Sequence, residues 1–148
     1  MSRILFTTGH SPLSRAIRSR TGEPCSHVAL ECAGWVVHSN LFGVRVDLLV
    51  DFLQVADVVY ELPVPMDAGM ILSKYLQYRH SGYDFGALMY LFLRSIPGFK
   101  FILPEKNLWK SNGMFLCTEW ATQVLQNKEN SVITPYQLYL ELSREQGV

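Results

Sequence analysis

No excess of charge of either sign is available to this chain: across 148 residues, 13 lysines and arginines face 13 aspartates and glutamates. A protein without a net field does not draw in nucleic acid or an anionic membrane by charge alone, so neither is expected as a partner. Cysteine is scarce as well. Cys25, Cys32 and Cys117 are an odd number with no Cys-x-x-Cys spacing, which indicates neither a disulfide framework nor a zinc ribbon, and reduced thiols are expected. The apolar run from Phe85 to Arg94 is far too short to span a bilayer and reads as a core helix. The opening Met-Ser-Arg-Ile-Leu-Phe-Thr-Thr-Gly lacks a charged region leading into a long apolar stretch and a small-residue cleavage site. A cytoplasmic protein is the expectation, with a bacterial or phage origin compatible.

What is present is enough apolar material for one core. At 49% hydrophobic residues, a chain of this length suits a single domain, residues 1–148, better than two. Arg3–Thr8 is a short apolar run ending in Thr-Gly, which reads as a strand. A helix follows, with Ser11 as N-cap, Pro12 at N1, Leu13, Ala16 and Ile17 as an apolar stripe and Gly22 just past its end. Arg15, Arg18 and Arg20 form its wet face.

Residues 26–40, Ser-His-Val-Ala-Leu-Glu-Cys-Ala-Gly-Trp-Val-Val-His-Ser-Asn, read as a hairpin turning at Ala33-Gly34. In that register Cys32 faces Trp35, Ala29 faces His38 and His27 faces Asn40, so His27 and His38 lie diagonally on one face. An odd-length loop would put them on opposite faces. Gly43–Asp47 alternates as a brief strand, Leu48–Gln54 carries a helical turn, and Asp57–Leu62 resumes a β-rich run, giving three or four strands for one antiparallel sheet. Pro63 and Pro65 break the chain. Asp67 then caps a helix whose buried side is marked by Ile71, Leu72, Tyr75, Leu76 and Tyr78, and Asp84 caps the next. Near the C-terminus, Thr134-Pro135-Tyr136-Gln137 is a capping box with proline at N1, opening a helix with Leu138 and Leu142 on one side.

The most informative stretch is Gly113–Gln123, where an apolar run leads into Cys117 and then into a helix reaching about Asn127. Trp120, Ala121, Val124 and Leu125 repeat at helical spacing, and Glu119 sits in the first turn, where the macrodipole favours a negative charge. A thiol at a helix N-terminus faces unpaired backbone N–H groups, which favour the thiolate and are expected to lower the Cys117 pKa. Cys117 is therefore a candidate nucleophile, with a small buried core residue as the plainer alternative. His27 is the candidate base, because imidazole titrates near neutrality, and His38 the group that fixes its tautomer. The alternative is two hydrogen-bonded histidines on a half-buried sheet. His10, in a turn, and His80, near a helix end, are read as structural or exposed. Two histidines and a cysteine can hold zinc, but no fourth ligand or tight spacing supports a metal. Ser95–Asn112 has no clear periodicity and interleaves Phe99, Phe101 and Trp109 with Lys100, Lys106 and Lys110. It reads as a lid or substrate wall, or as an irregular connection tucking its aromatics into the core.

Taken in order, Ser-His-Val-Ala-Leu at 26–30, the strand after it, Gly-Val-Arg-Val at 43–46, Gly-Tyr-Asp at 82–84, Phe-Leu-Cys-Thr-Glu at 115–119 and Ile-Thr-Pro at 133–135 cover nearly the whole chain. This order resembles the circularly permuted papain-like cysteine amidases, the YaeF/YiiX-like proteins of NlpC type, which are related to the lecithin:retinol acyltransferase-like proteins. The resemblance implies an α+β fold, a small antiparallel sheet packed against helices, with histidine preceding cysteine. It implies Cys117 as nucleophile, His27 as base and His38 as third member, with no cofactor. Two departures stand out. Cys117-Thr118-Glu119 replaces the family's Cys-Ser-Glu, and His38 occupies a position where many bacterial members carry glutamate and the acyltransferase-like members carry histidine.

The reaction so implied is thiolate attack on an acyl carbon, giving a thioester that water or another acceptor resolves. The oxyanion would lie near the Cys117 N–H, with Tyr83 and Thr118 as weaker candidates for oxyanion or substrate contact. The expected substrate is a peptide or isopeptide amide; an acyl lipid, handled by hydrolysis or transfer, is the alternative, as is a non-catalytic binding module on the same fold. The sequence specifies no oligomeric state.

Overall fold

The computed structural model describes residues 2–94, 96–102, 114–127 and 133–147. Five strands form one antiparallel sheet, β1 (Ser2–Gly9), β2 (His27–Cys32), β3 (Trp35–Asn40), β4 (Gly43–Leu48) and β5 (Ala56–Val64), in the order β4-β3-β2-β1-β5. The remaining elements are α1 (Pro12–Thr21), α2 (Leu49–Val55), α3 (Ala68–Tyr78), β6 (Gly82–Tyr83), α4 (Phe85–Arg94), α5 (Phe99–Ile102), β7 (Met114–Phe115), α6 (Cys117–Gln126) and α7 (Pro135–Gln146). The fold is α+β with an antiparallel sheet against helices.

Because successive side chains in a strand point to opposite faces, the sheet sorts its residues into two layers. On one face Ile4, Phe6, Val28, Leu30, Val37, Val44 and Leu62 pack with Ile71 of α3, Trp120, Ala121 and Val124 of α6, and Leu138 and Leu142 of α7. On the other, Leu5, Ala29 and Val36 pack with Phe52 and Leu49 of α2 and with Ala56. The interior strands β2 and β3 are buried on both sides, which is why Val-Ala-Leu and Val-Val carry no polar alternation.

The hairpin register is the expected one, Cys32↔Trp35 through Ala29↔His38. Ala33 and Gly34 both take positive φ, 50° and 83°, the type I′ requirement that matches the right-handed twist of the strands. The Ser11, Asp67 and Asp84 caps form as read, accepting the N–H groups of Ser14, Met70 and Ala87, and the Thr134–Gln137 box closes at 3.2 and 3.0 Å.

Elsewhere the structure corrects the reading. There are five strands in the main sheet, and Pro63 does not end β5 but lies within it, opposite Arg3. β5 is an edge strand, where proline withdraws no N–H from a ladder. In α3 only Ile71 is buried, with Tyr75 and Tyr78 half-buried, while Leu72 and Leu76 stay half exposed; the facing stripe is i, i+4, i+7 and excludes the residues one position on. In α1, Ser14 is buried and Ala16 exposed, because the Ser14 hydroxyl binds the Gly9 N–H and meets the Ser26 hydroxyl. α4 is amphipathic, burying Ala87 and Tyr90 and exposing Met89 and Phe92. Of the aromatic segment before Cys117, Phe101 and Ile102 are exposed, while Pro104, Lys106, Trp109, Lys110, Asn112 and Gly113 lie outside the described residues.

One close approach links these parts. Gly43 takes φ 98°, and a Cβ there would collide with the Ser81 carbonyl. The Ser81 carbonyl accepts the Val44 N–H, holding β6 against the end of β4. β6 in turn pairs in parallel with β7, Gly82↔Met114 and Tyr83↔Phe115, and so delivers the chain to Cys117.

Candidate active site

Cys117 is the first residue of α6. Leu116 precedes it in extended conformation, and the Glu119 carboxylate reaches back to accept the Leu116 N–H at 3.1 Å. The sulfur faces three backbone N–H groups, those of Val28, Thr118 and Cys117 itself. Yet the thiol is not activated at rest. Burial pushes its pKa up to about 11, Glu119 adds to the rise, and the three N–H groups only moderate it. The expected lowering at a helix N-terminus is thus overturned, since loss of hydration penalises the thiolate more than the N–H groups favour it. Two neighbours share the thiol's field. Burial, then the charges of Glu23 and Cys117, push the Cys25 thiol up to about 12. Burial also raises Tyr83, with Cys117, Asp84 and Glu119 adding to it. Thr118 is fully buried and contributes its backbone N–H.

The two histidines meet as the register requires. His27 Nε2 and His38 Nδ1 lie 2.8 Å apart, with the rings at 85°. Both rest against Phe52 of α2, whose centroid is 6.3 Å from His27 and 5.2 Å from His38. Burial lowers His27 to about 3, with His38 adding to the effect. Burial also lowers His38, with Arg45 acting in the same direction and Asp47 opposing. Both rings are neutral at neutral pH.

The structure adds a residue the sequence reading missed. His38 Nε2 lies 2.8 Å from Asp47 Oδ2, extending the pair to His27–His38–Asp47. Asp47 faces Val36 in the β3–β4 ladder while Arg45 faces His38, so Asp47 is the diagonal neighbour of His38 on the same face. The Gly-Val-Arg-Val-Asp alternation held that signal, but using it required the β3–β4 register.

Thiol and imidazoles belong to different layers: Cys117 to the α6 face, the ring chain to the α2 face. The start of β2 lies between the two layers: the Val28 N–H bears on the sulfur, and His27, the preceding residue, points to the opposite face. Among the described residues no hydrogen bond joins the sulfur to either ring. His10 and His80 stand apart, His10 on the surface against Asp57 Oδ2 at 2.8 Å. Chemically, the arrangement offers a buried thiol with backbone donors around its sulfur, and a neutral imidazole pair with a carboxylate behind it. Set against known proteins, the chain matches no protein-family model, no curated protein and no solved structure.

Proposed function

We propose that this chain is a cysteine hydrolase of permuted papain-like type, cleaving a peptide or isopeptide amide through a thioester on Cys117. The observation that carries the reading is the 2.8 Å contact between His27 Nε2 and His38 Nδ1, in a chain whose Cys117 opens a helix. Sγ attacks the acyl carbon while its proton passes to His27, at Nδ1, the ring nitrogen His38 does not use. The leaving amine takes that proton, and water, deprotonated by the same nitrogen, resolves the thioester. Since both groups are neutral at rest, proton transfer accompanies attack. The oxyanion forms beside the backbone N–H groups at the sulfur, each worth about 3 kcal/mol in the transition state.

A second reading, an acyl-lipid esterase or acyltransferase, is favoured by the exposure of Phe101 and Ile102 ahead of the cysteine. One experiment covers both. The protein is incubated with an activated amide series and an activated acyl-ester series, and adducts are located by peptide mass spectrometry. An acyl adduct on Cys117, absent in Cys117→Ala and formed on the order of a hundredfold or more slowly in His27→Ala, supports the proposal, and the preferred series separates amide from ester chemistry. No adduct from either series, or one on another residue, leaves a binding module on this fold.

A further inference from the structure

We infer that Asp47 is a positioning residue that acts through His38 to hold the His27 ring with its proton on Nε2 and its lone pair on Nδ1. A carboxylate accepts hydrogen bonds and does not donate them, so the 2.8 Å contact from Asp47 Oδ2 requires the proton of His38 to be on Nε2. His38 is buried, at 6% exposure, and uncharged, because desolvation outweighs the help Asp47 gives its charged form. A neutral imidazole carries one N–H, which leaves His38 Nδ1 as an acceptor. The atom 2.8 Å from it, His27 Nε2, must then donate. Neutral His27 is left with an unprotonated Nδ1, the form a general base requires. The proton inventory of the chain is therefore set at its solvent end, two rings away from the base. The other charged group bearing on His38, Arg45, offers only donors and cannot substitute for the carboxylate.

The packing suits this role. Phe52 bears on both rings and keeps them in place, so the carboxylate has proton position, not ring position, to decide. Asp47 is 43% exposed at its side chain, so its removal opens no cavity in the core.

The placement of the protons stands on the two 2.8 Å contacts and on the neutrality that burial gives both rings; the use of Nδ1 as a base rests on the hydrolase reading. Long-range 1H–15N correlation spectra of the histidine rings at neutral pH test the two separately. In the intact protein, His27 and His38 are expected to show protonated Nε2 and unprotonated Nδ1, with widely split nitrogen shifts. In Asp47→Ala the His27 nitrogens are expected to move toward each other as both tautomers become populated, with backbone shifts outside β3 and β4 unchanged. Protonated Nδ1 on His27 in the intact protein, or a His27 pattern indifferent to Asp47→Ala, overturns the inference. The expected ring pattern in a protein that forms no acyl adduct on Cys117 leaves the relay standing and removes the hydrolase.

Discussion

At the scale of single residues, the Cys117 sulfur is a contest between two environments. Three backbone N–H groups favour its thiolate, and burial in the layer under α6 disfavours it more, leaving a thiol pushed up to about 11. Alkylation follows from the sign of that shift. With the pKa raised, the neutral thiol dominates at neutral pH, so the rate with iodoacetamide in a Cys25→Ser, Cys32→Ser background should be slow at pH 7 and still climbing beyond the roughly 8.5 of a free cysteine. A rate already level by pH 8 would mean that the N–H groups win instead. In the proposed reaction His27 takes the proton during attack, which is why the tautomer assigned to Asp47 matters there. The helix start at Cys117 and the common face of His27 and His38 were legible beforehand because spacing within a helix start and a hairpin is local. Asp47 was not, since its partner is chosen by a second strand pairing.

At the scale of elements, the structure rests on local chemistry that can be altered without touching the site. Ala33 is held at φ 50° in the hairpin turn, and an L-residue with a Cβ carries a cost of about 1–2 kcal/mol in that region. Ala33→Asn, a residue the type I′ turn prefers, should raise the unfolding free energy by about 1 kcal/mol in a urea titration. Thr134 does two jobs. Its hydroxyl accepts the Gln137 N–H as helix cap and donates to Glu23 Oε1 at 2.8 Å, fastening α7 to the segment between α1 and β2. Thr134→Ala should lower stability by about 1–2 kcal/mol by the same measurement, with Thr134→Ser retaining most of it. These caps and turns were readable because each is decided within four residues. The Leu72 and Leu76 positions were not: a helix with apolar residues around more than half its circumference does not say which arc meets the sheet, and in α3 the arc through Ile71 does.

At the scale of the whole molecule, buried neutral groups set the pH range over which the fold is stable. His27 is depressed to about 3, so as pH falls from 6.5 toward 3 the unfolded chain binds a proton that the native state refuses, and stability is lost. Cys25 and Cys117 are raised to about 12 and 11. Above roughly 8.5 the unfolded thiols ionise while the folded ones do not, and stability is lost again. Urea midpoints should therefore peak between about pH 6.5 and 8.5, with His27→Gln flattening the acid side; a midpoint that rises on acidification would contradict the neutral ring pair.

The sequence by itself determined the helix caps, the two-residue turn, the hairpin register that put His27 and His38 on one face, and the position of Cys117 at a helix start. Each depends on hydrogen bonds and sterics among residues a few positions apart. Only the tertiary structure decided that Pro63 sits harmlessly on a sheet edge, that Asp47 joins the histidines, that the thiol and the rings approach from different layers, and that burial outweighs the helix terminus at Cys117. Those outcomes depend on which distant segments pack together and exclude water, and no local pattern carries that information.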